Sequence, residues 1–278
     1  MAFIISICNH KGGVGKTTTV VNLAHALAAY HEQRVLVVDA DPQGNASMSL
    51  GRLPPHEAET TIADVFLEKE INFSRAAQPS KYKGVDLIPA NIQAATLGMK
   101  LGPNDSRRAS CFRYKLQDAR ERWDIIVIDC PPSLDGVFLV NALNISDFYI
   151  VPIETESKYA LAGVDNLLAT VEVITELENP GIRLLGSLVT RMDARRNADQ
   201  RVAEAVVTMF GVENTFRTRI HTNAAISRAN TAGKSVFEHE PKSRGAKAYK
   251  SLATEVMARC QGLPYVETTE DEPEAEAV

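Results

Sequence analysis

The most constraining stretch of this 278-residue chain is Lys11-Gly12-Gly13-Val14-Gly15-Lys16-Thr17-Thr18. It stands between an apolar run, Phe3-Ile4-Ile5-Ser6-Ile7, and a segment with apolar residues at helical spacing: Val20, Val21, Leu23, Ala24, Leu27 and Ala28. Strand, glycine-rich turn and helix, in that order, let backbone N–H groups close around a phosphate while the helix N-terminus adds its positive end. The pattern predicts a nucleotide seat made by Gly12, Gly13, Val14, Gly15, Lys16, Thr17 and Thr18. Lys16 would reach the β- and γ-phosphates, and the Thr17 hydroxyl would ligate Mg2+. An ordinary glycine turn is the blander reading, and the flanking strand and helix argue against it. The loop also departs from the common form. The glycine expected five residues before Gly15 is His10, and a second lysine, Lys11, stands at the loop entrance.

Two later runs share one shape. Arg34-Val35-Leu36-Val37-Val38 leads into Asp39-Ala40-Asp41-Pro42-Gln43-Gly44-Asn45, and Trp123-Asp124-Ile125-Ile126-Val127-Ile128 leads into Asp129-Cys130-Pro131-Pro132-Ser133. Each reads as a buried strand that ends in a carboxylate. A single Asp in such a place is usually a turn residue. With the phosphate loop ahead of them, these aspartates fall where parallel sheets bind ligands and where nucleotide hydrolases place a carboxylate near the metal.

The coarse order is alternating strand and helix. Strands are predicted at 3–8, 34–39, 84–88, 124–129, 147–153 and 184–190. Helices are predicted at 16–30, near 61–68, and at 91–101, 107–122, 136–145, 160–178, 197–210, 223–231 and 243–261. Such alternation implies a doubly wound α/β fold, a mostly parallel sheet with helices on both faces. Residues 50–60 and 72–83 read as irregular. One domain is expected over 1–262, with an acidic, disordered tail at 263–278. No internal repeat divides the chain.

Four cysteines, Cys8, Cys111, Cys130 and Cys260, lie far apart in sequence, which suits neither a disulfide framework nor a zinc pattern and fits a reducing cytoplasm. No signal peptide and no apolar run of about 18 residues appears, so a soluble protein is expected. Charge is unevenly spread. From Gly181 to Cys260 there are 14 Lys/Arg against 7 Asp/Glu, a local +7 in a chain whose net charge is −5. An ordinary solvated face and a footprint for nucleic-acid phosphates both fit that excess.

The ordered set Asn9 to Thr19, Val38 to Ala46, Ile128 to Ser133 and Pro241-Lys242-Ser243-Arg244-Gly245-Ala246 resembles the ParA/Soj family of partitioning ATPases, within the group that includes MinD. The likeness covers roughly residues 1–262. It implies a phosphate-loop ATPase that uses ATP and Mg2+, forms an ATP-sandwich homodimer, binds DNA non-specifically, and is stimulated by a ParB-type or cargo-adaptor protein. It implies a cytoplasmic, nucleoid-associated location.

The resemblance also assigns roles. Lys16 serves its own nucleotide, and Lys11 crosses the dimer interface to the partner's phosphates. Asp41 orients or deprotonates the attacking water, with a possible place near the metal through water. Asp129 joins the metal through water, and Asp39 is structural or part of a switch. Met192, Asp193 and His221 fall near the adenine. DNA contacts are expected among Arg191, Arg195, Arg196, Arg219, Arg228, Lys234, Lys242 and Arg244. In the stretch from Arg219 to Arg228 the proline usual in relatives is His221, and Thr222 and Ala225 stand where arginine is common.

Three other classes remain open. A MinD-like membrane-cycling ATPase would end in a basic amphipathic helix, whereas this chain ends in an acidic stretch that anionic lipid would repel, so no stable membrane association is expected. An iron–sulfur reductase would need paired thiolates, and Cys130 has no such companion in the sequence pattern. A non-catalytic scaffold would not need Lys11, Lys16, Thr17, Asp41 and Asp129 together. The cargo stays open among plasmid, chromosome origin, chemoreceptor cluster and carboxysome.

Overall fold

The structure is a computed structural model that describes residues 2–102, 104–133, 136–156 and 160–264. Its strands are β1 (Phe3–Ile7), β2 (Val35–Asp39), β3 (Gln78–Pro79), β4 (Val85–Ile88), β5 (Ile125–Asp129), β6 (Phe148–Glu154), β7 (Arg183–Met192) and β8 (Ile220–His221). They form one sheet in the order β3-β4-β2-β5-β1-β6-β7-β8. Every pairing is parallel except β3 with β4.

The strand sequences are apolar at nearly every position because both sheet faces are covered. Alternate side chains go to opposite sides. Ile4, Leu36, Val38, Ile126 and Ile128 pack with Phe66, Phe112 and Leu143 in one cluster. Ile5, Ile7, Val35, Val37, Ile125 and Val127 pack with Leu23, Leu27, Tyr249 and Leu252 in the other. The helices Lys16–His31 and Arg244–Cys260 cover that second face, and Val137–Ile145 belongs to the first.

Register positions the site. Asp129 is the partner of Ile7 on one side and of Asp39 on the other. The carboxyl ends of β1, β2 and β5 therefore finish level, and the three loops that follow them meet at one edge of the sheet. Glu154 at the end of β6 pairs in register with Thr190 of β7, next to the same edge.

All six expected strands are present, to within one or two residues at each end. The helix expected over 107–122 is instead two, Arg107–Leu116 and Ala119–Arg122, because the backbone turns at Gln117, whose φ is +26°. Residues 91–101 form a 3-10 turn, Ile92–Thr96, followed by Leu97–Lys100. The short pieces β3, β8, Asn45–Leu50, Phe73–Ala76 and Val236–His239 had no counterpart in the sequence reading. They span six residues or fewer, too short to show a period. The acidic tail expected from 263 onward falls, beyond residue 264, outside the described residues.

Candidate nucleotide site

The loop after β1 is held from several sides before any ligand enters. Asn9 is buried; its Nδ2 donates to the Pro152 carbonyl at 2.7 Å and its Oδ1 accepts from the Lys11 amide at 2.9 Å. Thr190 at the end of β7 donates its hydroxyl to the Val14 carbonyl at 2.8 Å. Gly13 and Gly15 sit at φ +81° and +91°, where a side chain would be strained. Gly15 then starts the helix Lys16–His31, with its carbonyl accepting from the Thr19 amide at 2.9 Å. The amides of the first helical turn are thus aimed out of the sheet edge, as an anion seat requires.

Lys16 is 7 % exposed, and its Nζ donates to the Lys11 carbonyl at 3.1 Å. Burial lowers its pKa, and the Asp129 carboxylate opposes that shift. Above the loop lies a cavity of about 560 Å³. Gly12, Gly13, Lys16, Thr17, Thr18 and Asp41 line one part of it, and His221, Asn223, Ser227 and Asn230 another.

The carboxylates fall into two kinds. Asp39 is fully buried, and its Oδ2 accepts from the Ser47 amide and hydroxyl at 2.7 and 2.6 Å. Burial pushes its pKa up to about 6 against those hydrogen bonds. Asp129 is equally buried, and burial followed by repulsion from Asp39 raises its pKa well above the usual range. Its Oδ2 accepts from the Thr17 hydroxyl at 2.7 Å, while its Oδ1 is buried with no hydrogen-bond partner among the described residues. Asp41 is half-buried on the cavity wall, and its Oδ1 accepts from the Gln43 amide at 2.9 Å.

This donor set fits Mg2+. Among the described residues no three His, Cys, Asp or Glu side chains could hold a metal by themselves. Mg2+ asks for less, one or two oxygen ligands from the protein, with phosphate and water completing the shell. Thr17, with the orphaned oxygen of Asp129 behind it, offers that, and a divalent cation would favour the ionised forms of two acids that burial disfavours.

Of the three residues expected near the adenine, His221 lines this cavity, whereas Met192 and Asp193 line the one beside it. Met192 is buried, and its carbonyl accepts from the Thr222 amide at 3.0 Å and faces His221 Nδ1 at 3.1 Å. Asp193 is ion-paired to Arg195 at 2.9 Å, which holds its carboxyl down at about 2. A second cavity of about 540 Å³ adjoins it and is lined by Asp193, Arg195, His221, Asn223 and Arg244.

The basic residues of the C-terminal third do not share one environment. Arg191 is paired with Glu156 at 2.9 Å and Glu154 at 3.8 Å, and it lines the nucleotide cavity. Arg228 is paired with Glu240 at 2.6 Å and Lys234 with Glu238 at 2.7 Å. Arg196, Arg219, Lys242 and Arg244 are exposed, and no ion pair engages them among the described residues.

Comparison with known proteins accords with this geometry. A family model described as an AAA domain matches residues 2–184. The chain is 40% identical over 258 residues to the sporulation initiation inhibitor protein Soj of Bacillus subtilis, covering 93% of this chain and 99% of that one. It is 38% identical over 262 residues to the chromosome partitioning protein ParA of Caulobacter vibrioides, covering 92% and 94%. The chain belongs to the Soj/ParA family of partitioning ATPases. Among solved structures it resembles a cobyrinic acid a,c-diamide synthase of Mycobacterium smegmatis with bound ADP and magnesium, at TM-score 0.80 and 31% identity over 94% of this chain and 96% of that one.

Within this Soj/ParA chain, Glu154, Asn45, Thr190 and Asn230 are site residues that the sequence reading passed over. Asn45, Thr190 and Asn230 line the cavity, and Asn230 Nδ2 donates to the Thr18 hydroxyl at 3.0 Å. Nothing in sequence brings Asn230 to residue 18. Glu154 was accessible: Tyr149-Ile150-Val151-Pro152-Ile153-Glu154 repeats the shape that singled out Asp39 and Asp129.

Proposed function

We propose that this chain binds ATP with Mg2+ at the Lys11–Thr18 loop and hydrolyses it, that two loaded copies close into a sandwich dimer, and that the dimer grips DNA without regard to sequence. On this reading a ParB-type or cargo-adaptor protein accelerates hydrolysis, and the cycle of grip and release segregates or positions a cargo on the nucleoid in the cytoplasm. The observation that carries the reading is the pair of half-buried Thr17 and buried Asp129, with one carboxylate oxygen left open beneath a loop built for phosphate.

Phosphoryl transfer needs charge neutralisation and alignment more than covalent help from the protein. Bound Mg2+ supplies neutralising charge on the phosphate oxygens. Lys16 would exchange the Lys11 carbonyl for the β- and γ-phosphates, and Thr17, with Asp129 behind it through water, would hold the cation. Asp41, half-buried and free of any ion pair among the described residues, is the acceptor for a proton of the attacking water. Lys11 provides a further positive charge to the partner copy's nucleotide, which ties hydrolysis to assembly.

DNA binding follows from doubling the cation count. One copy offers few phosphate contacts, and a dimer roughly doubles the counterions released and so steepens the salt dependence. The unpaired Arg196, Arg219, Lys242 and Arg244 support this better than Arg228 or Lys234, which are already paired. The test is filter binding of unrelated duplexes at two salt concentrations, with ATP–Mg2+ and without nucleotide. The expectation is retention only with ATP, equal for every sequence and weaker at high salt. Retention confined to one sequence, or equal without ATP, would replace this reading with a site-specific regulator.

A further inference from the structure

Lys11 does not stand free at the loop entrance. Its Nζ is ion-paired to Glu154 of the same chain, the last residue of β6. The other Glu154 oxygen lies 3.8 Å from Arg191 Nη1, and Arg191 Nη2 is 2.9 Å from Glu156. The Glu154 side chain is 12% exposed and that of Lys11 28%. Arg191 holds its backbone at φ +54°, a conformation that non-glycine residues keep only where their surroundings fix it. From there its Nη1 reaches to 3.4 Å from the Gly13 carbonyl. Two cations and two anions from three segments therefore meet at the mouth of the nucleotide cavity.

We propose that Glu154 is a positioning residue that latches Lys11 in cis in the nucleotide-free chain, and that an exchange of partners at Glu154, from Lys11 to Arg191, governs how readily two copies assemble. The inference rests on the reading in which Lys11 serves the partner's nucleotide. A Lys11 ammonium that crosses to a phosphate of the second copy leaves the carboxylate of its own chain, so on this reading assembly breaks the pair. Breaking it alone would strand a largely buried carboxylate, a costly state. Arg191 is already beside the second oxygen of that carboxylate and is steadied by Glu156, so a shift of about an ångström supplies a replacement charge. Glu154 then opposes assembly, and Arg191 lowers the opposition.

A plain structural staple between β6 and the loop makes the opposite prediction. If the pair only held the loop in shape, losing it would loosen the phosphate seat and weaken assembly. The sign of the Glu154→Gln effect separates the two.

The test uses the full chain in the Asp41→Ala background with ATP–Mg2+, and reads the protein concentration of half-dimerisation by light scattering. Glu154→Gln should lower that concentration by about three- to fivefold, the scale of a partly exposed ion pair, and Arg191→Gln should raise it by a similar factor. In a Lys11→Ala background Glu154→Gln should change nothing. A second readout needs no dimer: reductive methylation of the nucleotide-free chain with formaldehyde, followed at Lys11 by peptide mass spectrometry, should run about three- to fivefold faster in Glu154→Gln. Unchanged methylation overturns the latch. Faster methylation with unchanged or weaker assembly overturns the gating role. A parent chain that stays monomeric with ATP overturns the sandwich reading and the gating with it, which the methylation arm distinguishes from a failure of the Lys11–Glu154 pair itself.

Discussion

Replacing Asp129 with asparagine isolates what the site's own charges cost the empty fold. Asp39 and Asp129 face each other across paired strands, both fully buried, and Asp129 Oδ1 has no hydrogen-bond partner among the described residues. Burial raises Asp39 from 3.8 to about 6, and burial with repulsion from Asp39 raises Asp129 well above the usual carboxylate range. At 1.36 kcal/mol per unit, the Asp39 shift alone corresponds to on the order of 3 kcal/mol against the ionised form. The Asp129→Asn side chain keeps an oxygen for the Thr17 hydroxyl while removing one charge and its repulsion of the other. The nucleotide-free protein should therefore gain about 1–3 kcal/mol, or roughly 2–10 °C in Tm for a chain of this size.

The sign with pH follows from linkage. A carboxyl whose folded pKa is raised destabilises the fold fully above that pKa, and the penalty fades as pH falls through it towards the unfolded value. The gain from Asp129→Asn should thus be larger at about pH 7.5 than at about pH 5. Scanning calorimetry with and without ATP–Mg2+ checks both halves, because the variant should also lose most of the ligand-induced rise in Tm. A lower Tm in the empty variant at the higher pH, or a gain that persists undiminished at the lower one, would show that these charges do not burden the empty fold.

Three further outcomes are expected. Lys16→Ala should abolish nucleotide binding in equilibrium titration, whereas Asp41→Ala should bind ATP normally and fail to release phosphate; wild-type turnover in Asp41→Ala would remove that residue from the mechanism. A Cβ at Gly12 meets nothing within 4 Å in the single chain, so Gly12→Val should fold and bind nucleotide but not dimerise; loss of nucleotide binding would place the defect in the loop instead. Glu255 is fully buried and accepts from the Arg217 and Thr218 amides and from Arg259, so Glu255→Ala should cost about 3–5 kcal/mol in chemical denaturation, and a change under about 1 kcal/mol would mean that the cluster does not depend on its charge.

The parts of this molecule legible in sequence are those where one local pattern fixes both structure and chemistry. The glycines at 13 and 15 with the lysine at 16, the strand ending in Asp39 and the strand ending in Asp129 are each read from a run of a few residues, and the parallel register does the rest. The contacts that lay hidden are long-range polar ones. Glu154 meets a lysine 143 residues away, Thr190 an oxygen 176 away, and Asn230 a hydroxyl 212 away. Periodicity carries no record of such pairings. The basic third shows a related limit: sequence counts cations, and only the fold separates Arg228, spent on Glu240, from Arg219 and Arg244, which are not. The short helices and β8 escaped for want of length, since a piece of two to six residues has no period to detect.

At the heart of the proposed cycle, nucleotide at the Lys11–Thr18 loop drives two copies together. The direct measurement is the molar mass of the Asp41→Ala protein by light scattering, without nucleotide, with ADP–Mg2+ and with ATP–Mg2+. The single-chain mass of 30.4 kDa is expected in the first two conditions and twice that mass in the third. One mass in all three conditions, whether single or double, would contradict a nucleotide-driven dimer.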